Sequence, residues 1–252
     1  MLQDKIQKLM LSISVDSEPQ ASNNDYECPI CQDRELIVFE VDGEILAKPC
    51  ECVPVKKYKR ILAKSGISAE FQQKGFKNFV TDTEQRKHAL QVAKQYAQDF
   101  INNRGNQYSI MLLGQPGSGK THLAIAIANN LIYQRIPVKY VIYPEMIRQL
   151  KSCKNRIEEF DPLMDELKNV DVLLIDDLFK FAERNGQVND TDLDIMFELV
   201  NHRYFTKKPL IISSEYTEDK LYKIDPALGS RLIEMAKDRI VVMSGENWRL
   251  RK

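Results

Sequence analysis

Eight consecutive residues, Gly114-Gln115-Pro116-Gly117-Ser118-Gly119-Lys120-Thr121, satisfy G-x-x-x-x-G-K-[ST] at every fixed position. That pattern calls for a phosphate-binding turn between a strand and a helix. The flanks agree: residues 108–113 form a mostly apolar run before the turn, and after it Leu123, Ile127 and Leu131 recur at helical spacing with Ala124, Ala128 and Ile132 beside them. Glycines let the backbone curl with its N–H groups inward, and the helix N-terminus adds the positive end of its dipole, so the main chain holds most of the phosphate oxygens. Gly114, Gln115, Pro116, Gly117, Ser118 and Gly119 form this cradle, and His122 carries it into the helix. Lys120 supplies a point charge to the β- and γ-phosphates of ATP, and the Thr121 hydroxyl is a magnesium ligand. The alternative, an ordinary Gly-rich turn, leaves the flanking strand and helix as coincidence.

Around this loop, strand-like and helix-period segments alternate, which predicts an α/β fold with a parallel sheet covered by helices. Strands are expected over 108–113, 138–143, 170–175, 210–213 and 240–243, and helices over 83–102, 119–134, 144–154, 191–206 and 226–236. The length of 252 residues suits one full domain plus smaller pieces. Four segments follow: an N-terminal amphipathic helix with a flexible linker (1–25), a cysteine module (26–60), a connecting segment (61–82) and the nucleotide-binding domain (83–252). In the first, Leu2, Ile6, Leu9, Met10 and Ile13 share one side of a helix over 2–13. That helix either folds back on the main core or docks in a partner's groove.

Val172-Leu173-Leu174-Ile175-Asp176-Asp177 is an apolar run ending in two carboxylates, the form of a buried central parallel strand. Beside the phosphate loop, Asp176 holds magnesium and Asp177 orients the attacking water; alternatively, one of them only caps the next turn. Many ATPases of this build place Glu second, and Asp is shorter by roughly 1.5 Å, so slow or partner-dependent hydrolysis is expected. Leu210-Ile211-Ile212-Ser213-Ser214-Glu215 is a further apolar strand with a polar end, placed to sense the γ-phosphate. Arg231 sits near the start of a helix opened by Asp225-Pro226. It either reaches a nucleotide on an adjacent subunit, as arginine fingers do, or pairs at the surface with Glu234 at i+3.

Taken in order, Gly75-Phe76-Lys77-Asn78-Phe79, the phosphate loop, residues 172–177, 211–215 and Gly229-Ser230-Arg231 resemble the AAA+ helicase loaders of the DnaC/DnaI type and their relative, the IstB transposition helper. The resemblance covers about residues 76 to 252. It implies an AAA+ ATPase with a central five-stranded parallel sheet, which self-assembles through its nucleotide interface. Such a protein delivers a hexameric replicative helicase of the DnaB type to single-stranded DNA. It also implies Arg231 as the finger acting in trans and Ser214 or Glu215 as the sensor, alongside Lys120 and Asp177 in catalysis. Two departures stand out: Glu215 occupies a position where Asn is common, and only nine residues follow Met243, too few for the helical lid of larger AAA+ proteins.

Four of the five cysteines fall in two close pairs, Cys28-Pro29-Ile30-Cys31 and Cys50-Glu51-Cys52, joined by a hairpin-like stretch with Asp42-Gly43 as its turn. Folding that hairpin brings the pairs together, and four thiolates suit a tetrahedral structural zinc. A redox pair or unligated cysteines remain as alternatives. Loaders of the DnaI kind resemble this arrangement, with a zinc-bound element ahead of the ATPase, which is not expected in the transposition helper. Cys153 reads as a buried small residue. His88, His122 and His202 have no metal-ligand spacing among themselves.

Lysine plus arginine (36) equals aspartate plus glutamate (36), so bulk charge does not grip nucleic acid. A local patch must do so. Lys56, Lys57, Lys59 and Arg60 around Tyr58 can track a phosphate backbone, or else form a solvated helix face. The longest apolar run, 123–128, is far short of the ~20 residues of a membrane helix. Asp4, Lys5 and Lys8 exclude an apolar signal core at the start, so a cytoplasmic, reducing compartment is expected. The leading reading is an ATP-controlled loader that binds the helicase through residues 1–60. Its alternatives are a transposition or recombination accessory ATPase and a small P-loop phosphotransferase, and the latter leaves the cysteine module without a purpose. The absence of an N-K-x-D motif favours ATP over GTP.

Overall fold

The computed structural model of the chain describes residues 26, 28–41, 44–102, 108–184, 187–244 and 247–250. The expected helix over 2–13, the linker after it and the Asp42-Gly43 turn lie outside the described residues. The chain divides into two compact units, Met1–Val53 and Pro54–Lys252.

In the smaller unit β1 (Leu36–Val41) pairs antiparallel with β2 (Glu44–Pro49), with Leu36 opposite Pro49 and Val41 opposite Glu44. This register returns the chain to Glu35, whose carbonyl accepts from the Cys50 amide at 2.9 Å. Cys28, Cys31 and Cys50 are buried, with Ile37, Cys52 and Val53 packed on them. Among the described residues, a core this small does not hold a fold together unaided.

The larger unit is a parallel sheet in the order β4 (Val138–Ile142), β5 (Val172–Leu178), β8 (Leu210–Ser214), β3 (Ile110–Gly114), β9 (Ile240–Met243). Every neighbouring pair in it is parallel. Because side chains alternate along a strand, the two faces feed separate cores. Ile110, Leu112, Val172, Leu174 and Ile211 face one layer with α3 (Glu84–Asn102) and α4 (Lys120–Tyr133). Met111, Leu113, Leu173, Ile175, Leu210 and Ile212 face the other. That second layer holds α5 (Tyr143–Cys153), α6 (Ile157–Asn169), α7 (Asp190–Phe205), α8 (Glu218–Ile224) and α9 (Pro226–Ala236). Burial on both faces explains why these strands read as unbroken apolar runs.

All five expected strands are present, and β9 occupies the expected range. Helices α6 and α8 and the small hairpin of β6 (Glu183–Arg184) with β7 (Gln187–Val188) were not anticipated. Helix α1 (Cys52–Lys64) runs through the boundary expected at residue 60. The segment 61–82 is also more than a connector. Ile67 and Phe79 are buried in the α3–α4 core with Ile61, Leu62, Phe71 and Phe76 packed against it, so the division falls at Val53 and Pro54. Its short elements, α2 (Ala69–Gln72) and a 3-10 turn (Phe76–Asn78), space these apolar residues too irregularly for periodicity to reveal them. No helix among the described residues is long and apolar enough to cross a membrane.

Candidate nucleotide-binding site

The C-terminal ends of β3, β5 and β8 lie side by side, and in open α/β sheets this is the edge where ligands bind. At the end of β3, Gly114 has φ 131°, and a Cβ there would sit 2.0 Å from the Met243 carbonyl oxygen of β9, so only glycine passes. Gly119, at φ 104°, turns the chain into α4 under the ring of Phe79, which leaves no room for a side chain. Lys120 follows as the first residue of α4. Its Nζ donates to the carbonyls of Gly114 (2.8 Å) and Gln115 (2.7 Å) within the loop. Burial pushes its pKa down, and the carboxylates of Glu215, Asp177 and Asp176 act against that.

The neighbouring strand brings the acids. Thr121 Oγ1 donates to Asp176 Oδ1 at 2.9 Å, the Ser213 hydroxyl donates to the same oxygen, and the Tyr140 hydroxyl donates to Oδ2 at 3.2 Å. Asp176 is only 4% exposed. Burial pushes its pKa up, while the three donated hydrogen bonds hold the charged form. The Thr121 hydroxyl beside the Asp176 carboxylate is a hard-oxygen pair at the mouth of the phosphate loop, which fits magnesium. The register of β5 against β8 breaks between Ile175 and Leu178, where Asp177 adopts φ 56°. This bulge turns the second acid away from the first. The Asp177 amide donates to Ser213 Oγ at 2.9 Å, and its carboxylate faces the cleft with Lys120, Thr121, Lys180 and Glu215.

Other expected residues are placed differently. Ser214 is fully buried: its hydroxyl donates to the Leu178 carbonyl (2.8 Å) and accepts from the Tyr216 amide (3.1 Å), outside the cleft lining. Glu215, next along, does line it. Arg231 lies outside this cleft. Its Nη1 donates to the Ala227 carbonyl at 2.7 Å and its guanidinium lies over Phe197 and Tyr204. Glu234 accepts from the Tyr204 hydroxyl at 2.9 Å instead of pairing with Arg231. His122 Nε2 is 3.0 Å from the Gly75 carbonyl oxygen and 3.1 Å from Asn78 Oδ1, so it fastens the Gly75–Phe79 stretch to α4.

The far end of the cleft is formed by Phe79, Val80, Arg86, Pro116 and Trp248. Arg86 lies over both aromatic rings, 4.6 Å from Phe79 and 5.0 Å from Trp248, and donates to the carbonyls of Val80 (2.7 Å) and Ser118 (3.0 Å). The Trp248 amide donates to the Gly117 carbonyl at 3.1 Å, which ties the C-terminal turn to the loop. Sequence reasoning missed Arg86, Tyr140, Ser213 as an Asp176 partner, and Lys180. Only Lys180, three residues beyond Asp177, carried a positional signal.

In the smaller unit the four cysteine sulfurs lie within 4.8 Å of one another, with Cys28 to Cys50 at 3.8 Å and Cys31 to Cys52 at 3.5 Å. A zinc tetrahedron with Zn–S bonds of about 2.3 Å separates its sulfurs by about 3.8 Å. None of the four is in a disulfide. The Cys31 backbone N–H lowers the Cys28 pKa to about 7, whereas Cys50 is pushed up and burial pushes Cys52 up, so the fit to a metal rests on the spacing of the sulfurs. The cluster fits zinc.

A phosphate loop at the end of β3, two acids on β5, the strand beyond its neighbour β8, and this parallel order define an AAA+ P-loop protein. The chain belongs to the IstB-like ATP binding protein family, whose model matches residues 54–252. It is 36% identical to the uncharacterized protein YqaM of Bacillus subtilis, over 90% of this chain and 85% of that one. It is 34% identical to the phage-like element PBSX protein XkdC of the same organism, over 98% and 93%. The replicative helicase loader DnaC of Escherichia coli is 28% identical over 71% of this chain and 69% of its own. The crystal structure of the DnaC helicase loader shares the fold, with a TM-score of 0.60 at 19% identity over 70% of this chain and all of that one. That of DnaI gives 0.57 at 22% identity, over 73% and 95%.

Proposed function

We propose that this protein is an ATP-dependent loader that places a hexameric replicative helicase on single-stranded DNA. Residues 1–60 engage the helicase, the ATPase body self-assembles, and nucleotide state controls release. The observation that carries the reading is the convergence of Lys120, Thr121, Asp176 and Asp177 at one sheet edge, in a chain similar over most of its length to a replicative helicase loader. In hydrolysis the oxygen of a water bonds to the γ-phosphorus as the bond to the bridging oxygen breaks, leaving its electron pair on ADP. Asp177 orients that water and takes its proton, while Lys120 and the loop amides carry the charge on the phosphate oxygens. Thr121 and Asp176 would hold magnesium, which would supply positive charge to the nucleotide phosphates. The short Asp177 side chain favours slow, partner-stimulated turnover. Arg231, outside the lining of its own chain's cleft, acts across a subunit interface, and Cys28, Cys31, Cys50 and Cys52 hold a structural zinc in the helicase-binding part.

A reading as a transposition accessory ATPase is favoured by the family description alone, whereas the four-cysteine cluster favours the loader. The test incubates the full chain with a hexameric replicative helicase and single-stranded DNA, with ATP or with the Lys120→Ala variant. A stable helicase complex and ATP-dependent helicase deposition are expected, with deposition lost in Lys120→Ala. A chain that binds ATP yet neither retains the helicase nor changes its residence on DNA contradicts the loader assignment.

A further inference from the structure

Besides Lys120 the cleft is lined by Lys74 and Lys180, which the phosphate-loop pattern does not supply, and Lys180 is the one that meets the acids. Lys180 Nζ lies 2.9 Å from Asp177 Oδ2 and 3.6 Å from Glu215 Oε1, bridging the two carboxylates at the phosphate end of the cleft. Its placement is built. The Lys180 amide donates to the Asp177 carbonyl at 2.9 Å and the Ala182 amide to that of Phe179 at 3.1 Å, which closes two tight turns in succession. Phe179 and Phe181 flank Lys180 in the left-handed region at φ 61° and 60°, an uncommon pair for non-glycine residues. Phe179 is buried against Tyr143 and Tyr216, with ring centroids 5.3 and 6.3 Å away, and this anchors the turn. The ammonium is therefore held at the cleft by packing as well as by charge.

Glu215 gives this lysine a purpose. A carboxylate at the end of β8 faces the place where the terminal phosphate arrives, and together with Asp176 and Asp177 it puts three acids beside one anion-binding loop. Of the cations lining the cleft, Lys120 donates to loop carbonyls, Lys74 lies over Phe71 and Arg86 over Phe79 and Trp248, whereas Lys180 pairs with two of these acids. We propose that Lys180 is a γ-phosphate-sensing residue: it rests between Asp177 and Glu215, and a terminal phosphate competes for its ammonium and releases Asp177 to orient water. A charge-assisted hydrogen bond to a third phosphate exists with ATP and not with ADP. Lys180 therefore distinguishes the two nucleotides, while Lys120 and the loop amides hold both. This rests on the nucleotide reading above.

The experiment is calorimetric titration of the full chain with magnesium-ATP and magnesium-ADP, in the unmodified protein, Lys180→Met and Lys180→Arg. Lys180→Met should keep its ADP affinity within about twofold while its ATP-over-ADP preference falls by roughly tenfold or more, the scale of one hydrogen bond to a charged group. Lys180→Arg should restore most of that preference. The retained ADP affinity reports an intact fold. An unchanged ratio in Lys180→Met, a parallel loss of both nucleotides, or failure of Arg to rescue would each overturn the assignment. If the unmodified chain binds ADP and ATP with equal affinity, sensing is refuted while the nucleotide reading stands; if it binds neither, both fall.

Discussion

Asp176 shows how one residue serves function against stability. It is buried, accepts hydrogen bonds from Thr121, Ser213 and Tyr140, and sits near the charge of Asp177, and burial holds its pKa above the ordinary carboxylate value. A carboxyl with a raised native pKa binds its proton more tightly folded than unfolded. The free chain therefore loses stability as pH rises from the unfolded value near 4 through the native one. Asparagine cannot ionise, so Asp176→Asn should melt above the unmodified chain at pH 7, with the gap closing below about pH 4, where the aspartate is protonated in both states. The same variant should weaken magnesium-dependent ATP binding by about tenfold or more. Scanning calorimetry across pH and nucleotide titration with and without magnesium check the two halves. A lower melting temperature at pH 7 would show that the three hydrogen bonds outweigh the burial of charge.

At the scale of elements, what the sequence revealed depended on whether the signal was local. The phosphate loop, the acids at residues 176–177 and the five apolar strands are contiguous patterns, and each stands within a few residues of its expected place. Tyr140 and Ser213 meet Asp176 only through the strand order, and Arg86 reaches the cleft from α3, which no window of sequence encodes; Lys180 alone lies near an expected acid in sequence. Helix α6 was hidden because Asp161-Pro162 falls inside it and looks like a break. What secures its end was equally hidden. Arg203, an ordinary cation in the last turn of α7 by sequence, is fully buried and donates to the carbonyls of Leu167, Lys168, Val170, Asp171 and Pro209. It satisfies acceptors that the C-terminus of α6 leaves open and meets the negative end of that helix's dipole. Arg203→Met keeps much of the apolar stem but removes the guanidinium donors to Leu167, Lys168, Val170 and Asp171, while Pro209 keeps the Leu173 amide, at a cost of about 3 kcal/mol or more. Urea unfolding should show a lower midpoint at an unchanged slope. A midpoint within error of the unmodified chain would mean that water or backbone relaxation replaces the guanidinium at little cost.

For the whole molecule, the consequential fact is that the two units owe their stability to different physics. The body from Pro54 onward has two large apolar cores on either side of its sheet, enough to fold without a bound ion. The unit ending at Val53 has three buried cysteines with Ile37, Cys52 and Val53 against them, and Leu36, Val38 and Ile45 of its hairpin are exposed. Apolar burial there cannot offset the entropy of ordering the hairpin, whereas structural zinc contributes roughly 10–16 kcal/mol at neutral pH in small metal-folded domains. Removing the metal should therefore separate the units functionally. With a strong zinc chelator, amides of 36–41 and 44–49 should lose hydrogen-exchange protection, while ATP affinity, carried by 54–252, stays unchanged. The Cys28→Ser, Cys50→Ser double variant should behave the same way and lose one equivalent of bound zinc. If the proposed loader function holds, helicase retention should fall with the hairpin. Unchanged metal content in the double variant, or full protection of the hairpin after chelation, would remove zinc from the account and leave the hairpin's backbone hydrogen bonds and the thiol contacts to join the cysteine pairs.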